Sequence, residues 1–212
     1  MTLMSKLVTA AEMKHYDQFT IQTIGIPSLV LMERASLAVR DVILHDYPDA
    51  QQISIVTGSG NNGGDGLCLG RLLQIAGKHV TIIEVGNPAH RSEEHLAQAH
   101  ICDYYHIPQV TSLASLATAD LIVDAIFGIG IDREVKASYA TTIEAINTAA
   151  APVIAVDVPS GINTDTGAVM GVAVKADSTV TFAFNKVGLT TKNGQQYAGR
   201  VIVADDMGTY EN

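Results

Sequence analysis

Ile53-Ser54-Ile55-Val56-Thr57-Gly58-Ser59-Gly60-Asn61-Asn62-Gly63-Gly64-Asp65-Gly66-Leu67-Cys68-Leu69 decides how this chain is read. Ile53 to Thr57 is a short apolar run of the kind that makes a buried strand. Asp65 to Ala76 carries the apolar spacing of a helix. Five glycines fall within the nine residues from Gly58 to Gly66. Where a plain strand-to-helix turn needs one or two, five let the backbone bend and lie against a ligand without Cβ atoms between them. The N–H groups at the start of the following helix add a polar, ligand-facing cradle.

Working outward, strand-like and helix-like segments alternate. Strands are expected at Ile53–Thr57, Val80–Val85, Leu121–Asp124, Val153–Asp157, Ser178–Phe182 and Arg200–Ala204, with a weaker one near Gln109. Helices are expected at Asp65–Ala76, Arg91–Tyr105 and Ser138–Ala149. The strands are apolar throughout, as in a sheet covered on both faces. Strand–helix alternation of this kind predicts a three-layer α/β/α sandwich around a Rossmann-like, mostly parallel, doubly wound sheet. Two helices precede the first of these strands. Thr9-Ala10-Ala11-Glu12 is a capping-box pattern that starts one near Ala10. Ser28 is the expected cap of a second, which runs to about His45. No linker divides the chain, so residues 1–212 are expected to form a single domain.

Composition narrows the function classes. With 13 basic and 22 acidic residues the net charge is −9. That argues against non-specific binding of nucleic acid and against docking on an anionic membrane. Cys68 and Cys102 are far apart, with no CxxC, and read as reduced core cysteines. No apolar run is long enough to span a bilayer, and the N-terminus lacks a secretory h-region. A cytoplasmic location is the expectation.

The glycine stretch admits more than one ligand reading. Gly58-x-Gly60-x-x-Gly63 satisfies the dinucleotide fingerprint, with Glu84 as the candidate ribose partner, which suggests an oxidoreductase. Asp65 opposes that reading, because a carboxylate at the helix start repels a pyrophosphate. A P-loop is excluded, since Gly64-Asp65 stands where Lys and a hydroxyl residue are required.

In an open parallel sheet, ligands bind beyond the carboxyl ends of the strands. Asp124 leads into Ala125-Ile126-Phe127-Gly128-Ile129-Gly130-Ile131-Asp132-Arg133-Glu134. Asp157 leads into Val158-Pro159-Ser160-Gly161. Asn61, Asn62, Asp124, Asp157 and Ser160 can therefore converge on one rim. Asn62, Asp124 and Ser160 supply oxygen donors with a single carboxylate, which suits a weakly held monovalent cation. Asp157 is then free to move protons. His95, His100, Cys102 and His106 mimic a metal cluster, but their spacing leaves the histidines off a common helical face, so they are expected to be solvated. Lys186 reads as a surface lysine, and Asp177 as a cap at the opposite rim.

Taken together, Gly58 to Gly66, Val123-Asp124-Ala125-Ile126-Phe127-Gly128-x-Gly130 and Val156-Asp157-Val158-Pro159-Ser160-Gly161-Ile162 resemble the YjeF N-terminal domain family, whose enzymes are NAD(P)H-hydrate epimerases. Met32-Glu33-Arg34-Ala35, Ala176 to Phe182, Lys186-x-Gly188-Leu189 and Tyr197-Ala198-Gly199 add to the likeness. The resemblance implies an isomerase that interconverts the R and S epimers, at C6, of hydrated NADH and NADPH. It implies a potassium ion on Asn62, Asp124 and Ser160. It implies a substrate site lined by Asn61, Asn62, Gly63, Gly64, Asp65, Gly128, Ile129, Gly130, Ile131, Asp132, Arg133, Glu134 and Asp157. A separate NAD(P)HX dehydratase would act downstream. Asp157 is the candidate catalytic residue. The alternative is a non-catalytic scaffold of the same fold that binds a nucleotide or a partner. The apolar faces between Thr9 and Leu44 are a candidate homodimer surface.

Overall fold

The structure, a computed structural model, describes residues 6–211. Its centre is a seven-stranded sheet, every neighbouring pair parallel. In chain order the elements begin with β1 (Leu7–Val8), α1 (Ala10–Phe19), α2 (Ser28–Asp46), β2 (Gln52–Thr57), α3 (Asn61–Ile75), β3 (His79–Glu84), α4 (Glu93–Tyr104) and β4 (Gln109–Val110). They continue with β5 (Leu121–Ala125), α5 (Ala137–Thr148), β6 (Val153–Val156), β7 (Ser178–Phe182), β8 (Asn185–Lys186), α6 (Val187–Thr190), α7 (Lys192–Ala198) and β9 (Arg200–Ala204). The strand order is β4-β3-β2-β5-β6-β7-β9. Winding therefore reverses between β2 and β5, the topological switch point where such sheets hold ligands.

Each face of the sheet has its own core. On one, Ile53, Ile55, Ile82, Leu121 and Val123 meet Val39 and Ile43 of α2, Leu67 and Leu73 of α3, and Cys102 of α4. On the other, Val56, Ile83, Ile122 and Ala155 meet Ile143 and Ile146 of α5. Alternate residues of one strand serve opposite cores, which is why the strands read as continuous apolar runs. Each fully buried aliphatic side chain contributes about 1.5–3 kcal/mol, so these two layers hold the strand ends in place.

The capping box of α1 forms as its sequence suggests, with Thr9 and Glu12 bonded reciprocally. A π-turn, Thr20–Ile24, follows and ends at Gly25, where φ is 89°. Several boundaries shift by one or two residues from the sequence reading, and two departures bear on the cavity. Ser28 is the first residue of α2 and not its cap; Pro27 holds the cap position, and the Ser28 hydroxyl instead donates to Glu94. α3 starts at Asn61, four residues before Asp65, so Asn61 to Asp65 are helix and not loop.

Three pieces escape the alternation pattern. β1 pairs in parallel with β8, Val8 opposite Lys186, and so ties the chain just before α1 to the segment after β7. α6 and α7 are too short to show a helical period. Among the described residues, no helix is long and apolar enough to cross a membrane.

Candidate functional site

Beyond the carboxyl ends of β2, β5, β6 and β7 lies a cavity of about 1000 Å³, at the upper end for a small-ligand site. α1, α2 and the tail residues Met207 and Thr209 complete its wall. Of the residues expected at the substrate site, Asn61, Asn62, Asp65, all seven from Gly128 to Glu134, and Asp157 line it. Gly63 and Gly64 do not, and the reason is steric.

None of the five glycines between Gly58 and Gly66 has a positive φ. They serve close packing, not turning. A Cβ on Gly63 would drive into the carbonyl oxygen of Gly58, one on Gly58 into the carbonyl of Ile126, and one on Gly66 into Ala125 and Thr57. α3 is thus pressed onto β2 and β5, and its first turn faces the cavity. Only Gly60 has open space where its Cβ would stand.

Asp124, at the end of β5, is fully buried. It accepts hydrogen bonds from Ser160 N (2.8 Å), Ser160 Oγ (2.6 Å) and Ile126 N (3.2 Å). Ser160 Oγ in turn accepts from Phe127 N at 2.9 Å. This knot joins the loop after β5 to the loop after β6, behind the cavity wall. Burial pushes the Asp124 carboxyl up to about 6, against the opposing pull of those hydrogen bonds. A Cβ built on Gly128 would stand 3.2 Å from Asn62 Oδ1 and 3.4 Å from Asp157 Oδ2. Asn62, from the first turn of α3, and Asp157, from the loop after β6, therefore converge on the same glycine. The Nδ2 of Asn62 is buried without a hydrogen-bond partner.

Asp157 directly follows β6 and adopts φ 68°, a left-handed backbone that costs a non-glycine residue free energy and clusters at functional positions. Its own N–H continues the ladder onto Val180 O, which pins the conformation. Oδ1 lies 2.9 Å from Lys186 Nζ and accepts from Thr181 Oγ1 at 3.1 Å. Oδ2 is the oxygen on the Gly128 side.

Lys186 overturns its reading as a surface residue. Its side chain is completely buried, and Nζ donates to the carbonyls of Phe182 and Phe184 as well as meeting Asp157. The clue available in sequence was order: β6 and β7 end as neighbours, so a lysine just past β7 reaches the aspartate just past β6. Asp17 on α1 was also missed. It lines the cavity beside Met13, one helical turn earlier on the same face. Burial raises Asp17 to about 6, with the charge of Asp157 adding to the rise. Asp65 is raised well above the ordinary carboxylate range, again by burial first and then by Asp157 and Asp17.

Other expectations divide. Asp177 does stand at the opposite rim, where it accepts from Val153 N. Glu84 is paired with Arg91 and does not line the cavity, which removes the ribose partner of the oxidoreductase reading. Cys68 and Cys102 are free and buried, as their reading as core cysteines expects, whereas His95 is buried and not solvated, because α4 packs on α3 there. Among the described residues no group of three or more His, Cys, Asp or Glu is placed to hold a metal.

Residues 28–188 match the family model described as YjeF-related protein N-terminus. A Limosilactobacillus fermentum protein named NAD(P)H-hydrate epimerase is 70% identical over 96% of this chain and 98% of its own length. A Limosilactobacillus reuteri protein of the same name is 65% identical over 97% of each chain. One from Oenococcus oeni is 40% identical over 96% of this chain and 97% of its own. The crystal structure of yeast ynu0, YNL200c, superposes with a TM-score of 0.81 at 22% identity, covering 93% of this chain and 87% of that one, and shares the fold. The seven-stranded parallel sheet, the cavity at its carboxyl rim and these similarities agree: the chain belongs to the YjeF-related N-terminal family.

Proposed function

We infer that the chain is an NAD(P)H-hydrate epimerase, an isomerase that interconverts the R and S forms of hydrated NADH and NADPH at C6. The observation that carries this reading within the structure is the Asp157–Lys186 pair, buried at the inner end of a cavity large enough for a dinucleotide. The relatives of the same name, matched over nearly their whole length, support it.

The chemistry follows from the substrate. C6 carries a hydroxyl next to ring nitrogen N1. When a base takes the hydroxyl proton, C6=O forms and the C6–N1 bond breaks. The electron pair passes to N1, which gains a proton. The open aldehyde rotates and recloses on either face by the reverse steps, so atoms and electrons balance with no co-reactant. Asp157 is the proposed base: Lys186 and Thr181 occupy Oδ1, which leaves Oδ2 for the substrate. Asn61, Asn62 and Asp65 from the first turn of α3, with the segment Gly128 to Glu134, are proposed to hold the nucleotide. Arg133 is the cation there for a phosphate, while Glu134 pairs with Lys136 at 3.0 Å.

The family also implies a potassium ion on Asn62, Asp124 and Ser160, and the donor set fits one. Asp124 is a buried carboxylate surrounded by hydrogen-bond donors, with no cationic side chain among its described partners. The ion would supply the missing positive charge and tie the first turn of α3 to the loops after β5 and β6. A dehydratase acting on the S epimer is the proposed downstream partner, and a cytoplasmic site of action suits reduced Cys68 and Cys102.

The test is an assay of R-to-S conversion on hydrated NADPH, coupled to a dehydratase specific for the S form. The expected result is full conversion of both epimers, faster than their spontaneous exchange. Conversion that stops at the S fraction, with the chain present in excess, would overturn the reading.

A further inference from the structure

α1 brings to the cavity a carboxylate that the reaction as described leaves unused. Asp17 lies on the buried side of α1, whose Met13 and Tyr16 pack against Ala183 and Met207. It is half-buried and has no ion-pair partner among the described residues. Burying a carboxylate without a cation is costly, and the next position of the same helix, Gln18, is exposed. Helix geometry sets position 17 on the inward face with Met13, and the sequence puts a carboxyl there.

Its placement is fixed from both ends. Upstream, β1 pairs with β8, with Val8 opposite Lys186 itself. Downstream, Thr20 Oγ1 accepts from Tyr210 N at 2.9 Å, which ties the end of α1 to the tail. α1 is therefore registered on the segment that carries the lysine of the Asp157 pair. The groups facing Asp17 are Asp157 after β6, Lys186 on β8, Asp65 on α3 and Thr209 in the tail. Lys14 lines the cavity from α1 itself, and Arg34 of α2 is engaged with Asp206.

We propose that Asp17 is a second catalytic residue, the acid that partners Asp157 as base at the reacting end of the cavity. The proposal rests on the epimerase reading. Ring opening removes a proton from the C6 hydroxyl and adds one to N1. Asp157 takes the first and Asp17 gives the second. On closure N1 returns its proton to Asp17, and Asp157 returns its own to the oxygen. With Oδ1 engaged by Lys186 and Thr181, Asp157 has one oxygen for the substrate and does not supply the N1 proton while it takes the hydroxyl proton; Asp17 is a second carboxyl of different environment in the same cavity. Asp157 is held by a buried lysine. Asp17 is held by burial and by the neighbouring Asp157 charge, which favour its protonated form over the opposing pull of Lys186 and of a Thr209 hydrogen bond.

The experiment compares the full chain with Asp17→Asn, Asp17→Glu and Asp65→Asn on hydrated NADPH. Asp17→Asn is expected to lower kcat by about a hundredfold or more, the usual worth of a general acid, with KM within about threefold. In the unsubstituted chain kcat/KM should fall as pH rises through about 6. That alkaline fall should vanish in Asp17→Asn, and Asp17→Glu should recover part of kcat. Asp17→Asn within about threefold of the parent in kcat would overturn the proposal, as would a low kcat that keeps the alkaline fall. Loss of that fall in Asp65→Asn alone would move the role to Asp65. If Asp17→Asn does not fold, the parent profile decides: kcat/KM that does not decline above pH 6 rules Asp17 out. A parent chain that fails to accelerate epimerisation at all removes the underlying reading, and this proposal with it.

Discussion

Lys186 Nζ lies 2.9 Å from Asp157 Oδ1, and the lysine side chain is wholly withdrawn from solvent. The pair joins the end of β6 to β8, and through β8 to β1. A buried pair that loses one member leaves an uncompensated charge, which costs about 3–5 kcal/mol. Lys186→Met should destabilise the chain by roughly that amount, measured by urea unfolding. Adding Asp157→Asn should recover part of the loss, because no unpaired carboxylate then remains. Losses that simply add in the double variant would show that the two groups are not coupled.

The proposed ion gives a second expectation. Thermal unfolding in potassium chloride should occur at a higher temperature than in choline chloride of equal ionic strength, by mass action on the folded state. Asp124→Asn should abolish the difference, since it removes the carboxylate that Ser160 N and Oγ share. Equal midpoints in the two salts would exclude a potassium site of any useful affinity.

His95 governs a pH dependence. It is buried against α3, and burial lowers it to about 4, with Arg91 adding to the effect. Its folded value thus lies below the unfolded value of about 6.5. Neutral His95 contributes stability that is whole above pH 6.5 and is lost as pH falls towards 4, where the unfolded chain binds a proton that the folded chain refuses. The parent should therefore lose stability relative to His95→Gln between pH 6.5 and 4. Parallel stability curves for the two proteins over that range would refute the assignment.

The sheet was legible in sequence because its central strands β2, β5, β6 and β7 are buried along nearly their whole length, and the apolar runs mark them. The convergence of Asp124 and Ser160 was legible because strand ends in a parallel sheet share one rim, and the two are hydrogen-bonded there. Lys186 and Asp17 were not. A lysine's burial depends on a carboxylate some thirty positions away in sequence, and no local pattern records that pairing. The start of α3 was misplaced for a related reason. Gly63, Gly64 and Gly66 are poor helix formers by intrinsic propensity, but tertiary packing demands their missing side chains and overrides that preference.

Those glycines separate packing from ligand approach. Gly63→Ala places a Cβ against the carbonyl of Gly58, backbone on backbone, and nothing flexible can yield. It should unfold the chain or lower its stability by several kcal/mol. Gly60 precedes α3 at φ −88° and ψ −167°, which any residue adopts, and its Cβ would meet nothing within 4 Å. Gly60→Ala should therefore fold as the parent does. The open space at Gly60 borders the cavity, so a methyl group there intrudes on whatever lies over the first turn of α3. With the nucleotide bound at that turn, Gly60→Ala should raise KM for hydrated NADPH by about tenfold while its urea midpoint stays put. An unchanged KM would place the nucleotide elsewhere in the cavity, away from the glycine stretch.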